Sequence, residues 1–164
     1  MIKNFSMEEV EAVVKALPGD KAGPGGFPMV FYKTYWDVIK TDVYRAICQF
    51  ASTGNLLVQW KSCFIALVPK VPNAQSPDEC RPISLCNVAY KIVSKLLTNR
   101  LKLLLSKNIL LEQEAFVPGR NINEAILLMQ EVLHSMAASR NAAKAMLVKL
   151  DLNKAYEMLR WDFL

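Results

Sequence analysis

Apolar positions recur along this chain at two spacings, the three-to-four step of a helix and the two step of a strand. Ser6-Met7-Glu8-Glu9 has the spacing of a capping box, in which a serine hydroxyl and a glutamate carboxylate satisfy each other's backbone amides at a helix start. Val10, Val13, Val14 and Leu17 then form one stripe, with Glu8, Glu9, Glu11 and Lys15 off it, until Pro18-Gly19. The pattern predicts a short amphipathic helix. Pro28 suits the first helical position of a long region through Ser52, with Phe31, Tyr35, Trp36, Val43 and Ile47 on its apolar face. Thr53-Gly54-Asn55 closes that region. Trp60 and the run Cys63 to Val68 predict a strand. Pro69, Pro72 and Pro77 then make an irregular loop.

Arg81-Pro82-Ile83-Ser84-Leu85 is a short extended segment, because Pro82 disfavours helix at Arg81. Asn87 to Lys107 predicts a long helix. Its stripe is Ala89, Ile92, Val93, Leu96, Leu97 and Leu101, and Lys91, Lys95, Arg100 and Lys102 lie largely off it. Leu110 to Arg120 predicts a second extended segment ending in a turn, and Asn121 to Ser139 a third long helix. Finally Met146, Val148 and Leu150 alternate with Leu147, Lys149 and Asp151. That run predicts a strand apolar enough to lie in a sheet covered by helices.

Asp151 falls where the strand pattern turns helical, and two readings stand open. It caps the next helix through the amides of Asn153 or Lys154, or it projects into a cleft as a ligand for a hard cation. Asp20 to Pro28 is rich in Gly and Pro but lacks both common phosphate-loop patterns, so it is a tight connector or an unfamiliar cradle. Lys91 and Lys95 either track a phosphate backbone or form a solvated face. Phe116 beside Arg120 suits stacking on a base and gripping a phosphate.

Composition narrows the classes. At 164 residues and 52% hydrophobic content the chain supports a sizeable core and argues against disorder. A net charge of +5 and an isoelectric point near 9.0 lean toward polyanionic partners. No apolar run is long enough to span a membrane, and residues 1–6 lack a signal-peptide core, so a nuclear or cytoplasmic address follows by default. Cys48, Cys63, Cys80 and Cys86 form no C-x-x-C pair and His134 is the single histidine, which leaves zinc and histidine-dependent nucleophile chemistry without support. Trp161-Asp162-Phe163-Leu164 falls inside an apolar helical pattern with no stop signal, the expectation for a piece of a longer chain.

Six blocks in order carry a resemblance. They are Lys21-Ala22-Gly23-Pro24-Gly25-Gly26-Phe27-Pro28, Phe64-Ile65-Ala66-Leu67-Val68-Pro69-Lys70, and Arg81-Pro82-Ile83-Ser84-Leu85-Cys86-Asn87 continuing to Tyr90-Lys91 and Asn99-Arg100-Leu101. Gln113-Glu114-Ala115-Phe116-Val117-Pro118-Gly119-Arg120, Leu150-Asp151-Leu152-Asn153-Lys154-Ala155-Tyr156-Glu157 and Trp161-Asp162-Phe163-Leu164 complete them. Together they resemble the reverse transcriptase domain of LINE-type (non-LTR) retrotransposons, most closely the kind found in plant genomes. Gly25 and Glu157 depart from that pattern, each standing where the family carries an aspartate.

The resemblance implies an α+β fold, with an N-terminal region and helix-rich fingers over residues 1–144 and the first part of a right-hand palm over residues 145–164, incomplete. It implies an RNA-directed DNA polymerase that works with an RNA template, a DNA primer, dNTPs and two Mg2+ ions. Asp151 matches the first metal-binding aspartate of the palm, and the Leu152 carbonyl helps hold the metal pair. Tyr156 matches the aromatic gate that favours deoxynucleotides. Arg81 and Arg120 become contacts to backbone or triphosphate, and Phe116 and Pro118 shape the pocket. The family's later D-D pair has no counterpart in these 164 residues, so the chain by itself is expected to be inactive. The alternatives are a non-catalytic nucleic-acid-binding protein and a functionless product of a decayed element.

Overall fold

The Ser6 capping box forms as the sequence predicts. The Ser6 hydroxyl accepts from the Glu9 amide at 3.2 Å, and the Glu9 carboxylate accepts from the Ser6 amide at 2.8 Å. Helix α1 (Met7–Ala16) follows, with Val10, Val13 and Val14 buried. The computed structural model describes residues 4–19, 23–138, 146–151, 158–160 and 162. They belong to two compact units, Met1–Ile109 and Leu110–Leu164.

The helical region after Pro28 is two helices, α2 (Met29–Thr34) and α3 (Trp36–Thr53), with Pro28 as the N-cap of the first. The ladder breaks at Tyr35, whose φ of −100° and ψ of 17° lie outside the helical well. That break turns Trp36 into the core while Tyr35 stays exposed beside Phe31, their ring centroids 5.1 Å apart. No Pro or Gly marks it, so residue pattern alone shows a single helix. Gly54 ends α3 at φ 70°, a left-handed position that costs a glycine little.

Trp60 belongs to a single helical turn, α4 (Val58–Lys61), and not to a strand. Its amide and that of Lys61 both donate to the Leu57 carbonyl, at 2.9 and 3.2 Å, which closes the turn before the chain extends. Strand β1 (Cys63–Pro69) then pairs antiparallel with β2 (Cys80–Cys86), from Cys63 opposite Cys86 to Pro69 opposite Cys80.

Proline chemistry sets the hydrogen-bond phase of this hairpin. Pro69 and Pro82 have no amide proton, so the pairs Pro69–Cys80 and Leu67–Pro82 occupy sites that exchange no ladder bonds. The Lys70 amide donating to the Glu79 carbonyl at 2.8 Å continues the alternation. Ile65–Ser84 and Cys63–Cys86 therefore also fall at non-hydrogen-bonded sites. One face of the hairpin carries Ser84 and Cys86, and the other carries Arg81, Ile83 and Leu85.

Helix α5 (Val88–Asn108) starts at Asn87 and buries Val88, Ala89, Ile92, Val93 and Leu96. With Phe5, the valines of α1, Met29, Trp36, Val43 and Ile47 these residues form the core of the first unit. Ile47 and Ile92 are fully buried, and truncating a side chain so placed costs about 2–5 kcal/mol.

In the second unit, Leu110 to Arg120 is a series of turns and not an extended segment. The Arg120 guanidinium draws the Leu110 and Gln113 carbonyls together, which curls the chain back on itself. Helix α6 (Ile122–Ala138) follows as predicted, and its Ile126, Leu127, Leu128 and Met129 are exposed. Residues 146–151 are exposed and form no strand. The only strands among the described residues are β1 and β2, so the apolar alternation there has no neighbour with which to build a ladder. The fold remains α+β, helices with one small antiparallel sheet among the described residues. No helix among them is long and apolar enough to cross a membrane.

Candidate functional site

Asn87 organises the first unit's polar joint. Its side chain is buried, yet it caps no amide of α5. Its Oδ1 instead accepts from the Gly25 amide at 2.6 Å, and its Nδ2 donates to the Gln59 carbonyl at 2.6 Å and the Ser62 carbonyl at 3.3 Å. One amide side chain thus ties the Gly/Pro loop, α4 and the start of β1 to the base of α5. Gly23 sits so close that a β-carbon there would lie 2.4 Å from the Cys86 carbonyl oxygen. The described part of the loop is a docked connector, and its glycines permit that close approach. Asp20, Lys21 and Ala22 lie outside the described residues.

Beside this joint is a shallow depression of about 380 Å³, where Ser84 and Cys86 of β2 meet one face of α5. Lys91, Ser94, Lys95 and Thr98 line it at helical spacing, and Tyr90 and Leu17 border it. Lys91 and Lys95 are therefore brought together, each half-buried, on the face that also carries Ser94 and Thr98. Arg81 is exposed on the opposite face of the hairpin, so the structure does not bring it to the two lysines. The Cys86 thiol is held above its usual pKa range, first by burial and next by the nearby Cys63 thiol.

Arg100 is engaged within the fold. It bonds Glu9 and the Asn4 carbonyl, with its guanidinium over the Phe5 ring. That role was not legible from the basic stripe of α5.

In the second unit Phe116 is 97% exposed at φ 66°, next to buried Val117 and exposed Pro118. An aromatic face held free of packing suits stacking. Arg120 in the same segment holds the turn through backbone carbonyls. Asp151 is exposed at the end of residues 146–151. Leu152 and Tyr156, the other palm positions, lie outside the described residues. Arg160 pairs with Asp162, its Nε donating at 2.9 Å. That contact lowers the Asp162 pKa and raises that of Arg160. Among the described residues no three His, Cys, Asp or Glu side chains converge as a metal site would require.

Comparison with known proteins adds two findings. The family model described as reverse transcriptase (RNA-dependent DNA polymerase) matches residues 68–164, more than half of the chain. Over 161 residues the chain is 28% identical to the transposon TX1 uncharacterized 149 kDa protein of Xenopus laevis. That alignment covers 98% of this chain and 12% of that protein, so the chain spans a small part of its relative's length.

Proposed function

The chain belongs to the reverse transcriptase (RNA-dependent DNA polymerase) family, and from that premise we propose that residues 1–144 are the N-terminal region and fingers and residues 145–164 the opening of the palm of a polymerase from a LINE-type, non-LTR element of the plant kind. In the intact enzyme such a domain copies an RNA template into DNA from a primer hydroxyl and dNTPs. The observation that carries the reading is the family match across residues 68–164, which contains every candidate site residue from Arg81 to Tyr156.

The roles follow from chemistry at the named positions. Lys91 and Lys95, paired along one face of α5 among hydroxyls, suit a nucleic-acid backbone. Arg81, exposed on the other hairpin face, suits a second phosphate contact, to backbone or to triphosphate. Phe116 offers a free aromatic face, with Pro118 and Arg120 shaping the same turn. Tyr156 is the gate against a ribose 2′-hydroxyl. Asp151 and the Leu152 carbonyl would supply oxygen ligands to Mg2+. In an intact enzyme whose other carboxylates completed the site, bound ions would stabilise negative charge on the transferring phosphoryl group. The described residues do not by themselves fit a two-metal centre, because no three His, Cys, Asp or Glu side chains converge among them.

The test is primer extension on an RNA template with dNTPs and Mg2+. We expect no extension by residues 1–164, and robust extension overturns the inactivity. A second reading, nucleic-acid binding without catalysis, is favoured by the net charge of +5 and by the Lys91–Lys95 pair. Salt-dependent binding of RNA or an RNA–DNA hybrid supports it, and no binding at low salt disposes of it.

A further inference from the structure

Cys63 and Cys86 stand directly opposite one another at the open end of the hairpin. The proline phase makes theirs a non-hydrogen-bonded pair, the kind in which Cα atoms approach to about 4.5 Å and side chains lie closest. A disulfide needs Cα atoms about 4.4–6.8 Å apart, a range that pairs of this type fall within. Both side chains leave the same face of the ribbon, and both thiols are free. Cys63 is exposed and within reach of a soluble oxidant, while Cys86 is half-buried at the edge of the depression.

The other two cysteines are not in position to compete. Cys80 lies on the same face but six residues along β2, a separation of about 20 Å from the Cys63–Cys86 pair. Cys48 is on α3 and outside the hairpin.

We infer that Cys63 and Cys86 are a reversible thiol-modification site, closing to a cross-strand disulfide when the protein meets a small-molecule disulfide such as oxidised glutathione. The Cys63 thiolate attacks one glutathione sulfur, and the glutathione S–S bond breaks to leave a mixed disulfide and one glutathione thiolate. The Cys86 thiolate then attacks the Cys63 sulfur and expels the second glutathione. One disulfide is consumed and one is formed, the two electrons pass to glutathione, and the two cysteine protons end on the two released thiols. The new bond links Cys63, next to Ser62, with Cys86, next to Asn87. Asn87 already holds the Ser62 and Gln59 carbonyls, so oxidation adds a covalent strut to the joint where the glycine loop, α4 and α5 meet. A reduced thiol pool reverses it.

The experiment treats the full chain with oxidised glutathione at pH 8, blocks remaining thiols with iodoacetamide and maps tryptic peptides without reduction. Trypsin releases Cys63 in residues 62–70, and Cys80 with Cys86 in residues 71–91, since Arg81 precedes Pro82. The expected product is these two peptides joined, about 2 Da lighter than their sum with Cys80 alkylated and Cys63 and Cys86 as thiols. The joined pair persists in Cys80→Ser and is lost in Cys86→Ser. Two outcomes overturn the inference. One is Cys63 held as a glutathione adduct with Cys86 still alkylated in the native chain. The other is a cross-link that disappears in Cys80→Ser, with circular dichroism showing that variant folded.

Discussion

Arg100 meets Glu9 side-on across 91 positions of sequence, Nε to Oε1 at 3.1 Å and Nη2 to Oε2 at 2.8 Å. The same carboxylate already accepts from the Ser6 amide, so one glutamate both starts α1 and receives α5. Nη2 also donates to the Asn4 carbonyl at 3.0 Å, and the guanidinium carbon lies 4.1 Å from the centre of the Phe5 ring. A planar fork over an aromatic face is a task that lysine cannot reproduce.

Replacing Arg100 with Ala is expected to cost about 2 kcal/mol, since it removes charge-assisted hydrogen bonds and a cation–π contact at a partly exposed site. Arg100→Lys should recover less than half of that. Urea unfolding of the full chain measures both. A lysine variant as stable as the parent would sink the bidentate account.

Gly23 and Gly19 make a matched pair. A β-carbon at Gly23 would collide with backbone at 2.4 Å, whereas at Gly19 the nearest atom is 3.8 Å away. Gly23→Ala should destabilise by about 2 kcal/mol or more, while Gly19→Ala stays within about 0.5 kcal/mol. Equal melting temperatures for the two variants would contradict the close docking of the loop.

Asn87→Ala strands the Gly25 amide and two carbonyls, and should cost about 2–3 kcal/mol, as expected when buried partners are left unmet. Asn87→Asp is the informative contrast. It keeps an acceptor for Gly25 but turns an oxygen toward the Gln59 and Ser62 carbonyls. Its stability should therefore fall as pH rises through the carboxyl's titration, a trend absent in the parent at this position.

Lys91→Ala, Lys95→Ala and Arg81→Ala should each weaken RNA binding alike across sequences. Each should also reduce the slope of log K against log salt by about 1. Fluorescence anisotropy across a salt series reads this directly. An unchanged slope in all three removes them from the interface.

The raised pKa of Cys86 has a kinetic expectation. Burial and the Cys63 thiol keep it protonated, so its thiolate fraction at a given pH is below that of a cysteine in a short unstructured peptide. Alkylation of Cys86 should lag that peptide at pH 8, and its rate should climb at higher pH than the peptide's does. A profile that overlays the peptide would refute the shift.

Elements whose signal is local were readable from residue order. Ser6 and Glu9 announced α1, and the stripes of α5 and α6 placed those helices to within a residue or two of each end. Features set by distant partners were not readable. Tyr35 breaks a helix with no breaker residue, because Trp36 is needed in the core. Trp60 looked strand-like and sits in a turn closed by the Leu57 carbonyl. Arg120 curls a segment that its residue types present as extended. Residues 146–151 carry strand alternation without a neighbouring strand among the described residues. The candidate site divides the same way. The Lys91–Lys95 pairing follows from helical spacing, while the separation of Arg81 from it depends on hairpin register.

The two prolines that fix the hairpin's phase also decide what the ribbon can recruit. Groups at non-hydrogen-bonded sites point away from the partner strand, so Pro82 leaves a missing donor in the middle of the outer edge of β2, and Pro69 does the same at the end of the outer edge of β1, edges that no other strand pairs among the described residues. A ribbon that exposes Phe64, Ile65, Leu67 and Ile83 would otherwise be a template for strand-by-strand aggregation. Replacing Pro82 with a residue that has an amide proton would complete that edge. The added donor would break no bond within the hairpin and would make self-association the hazard.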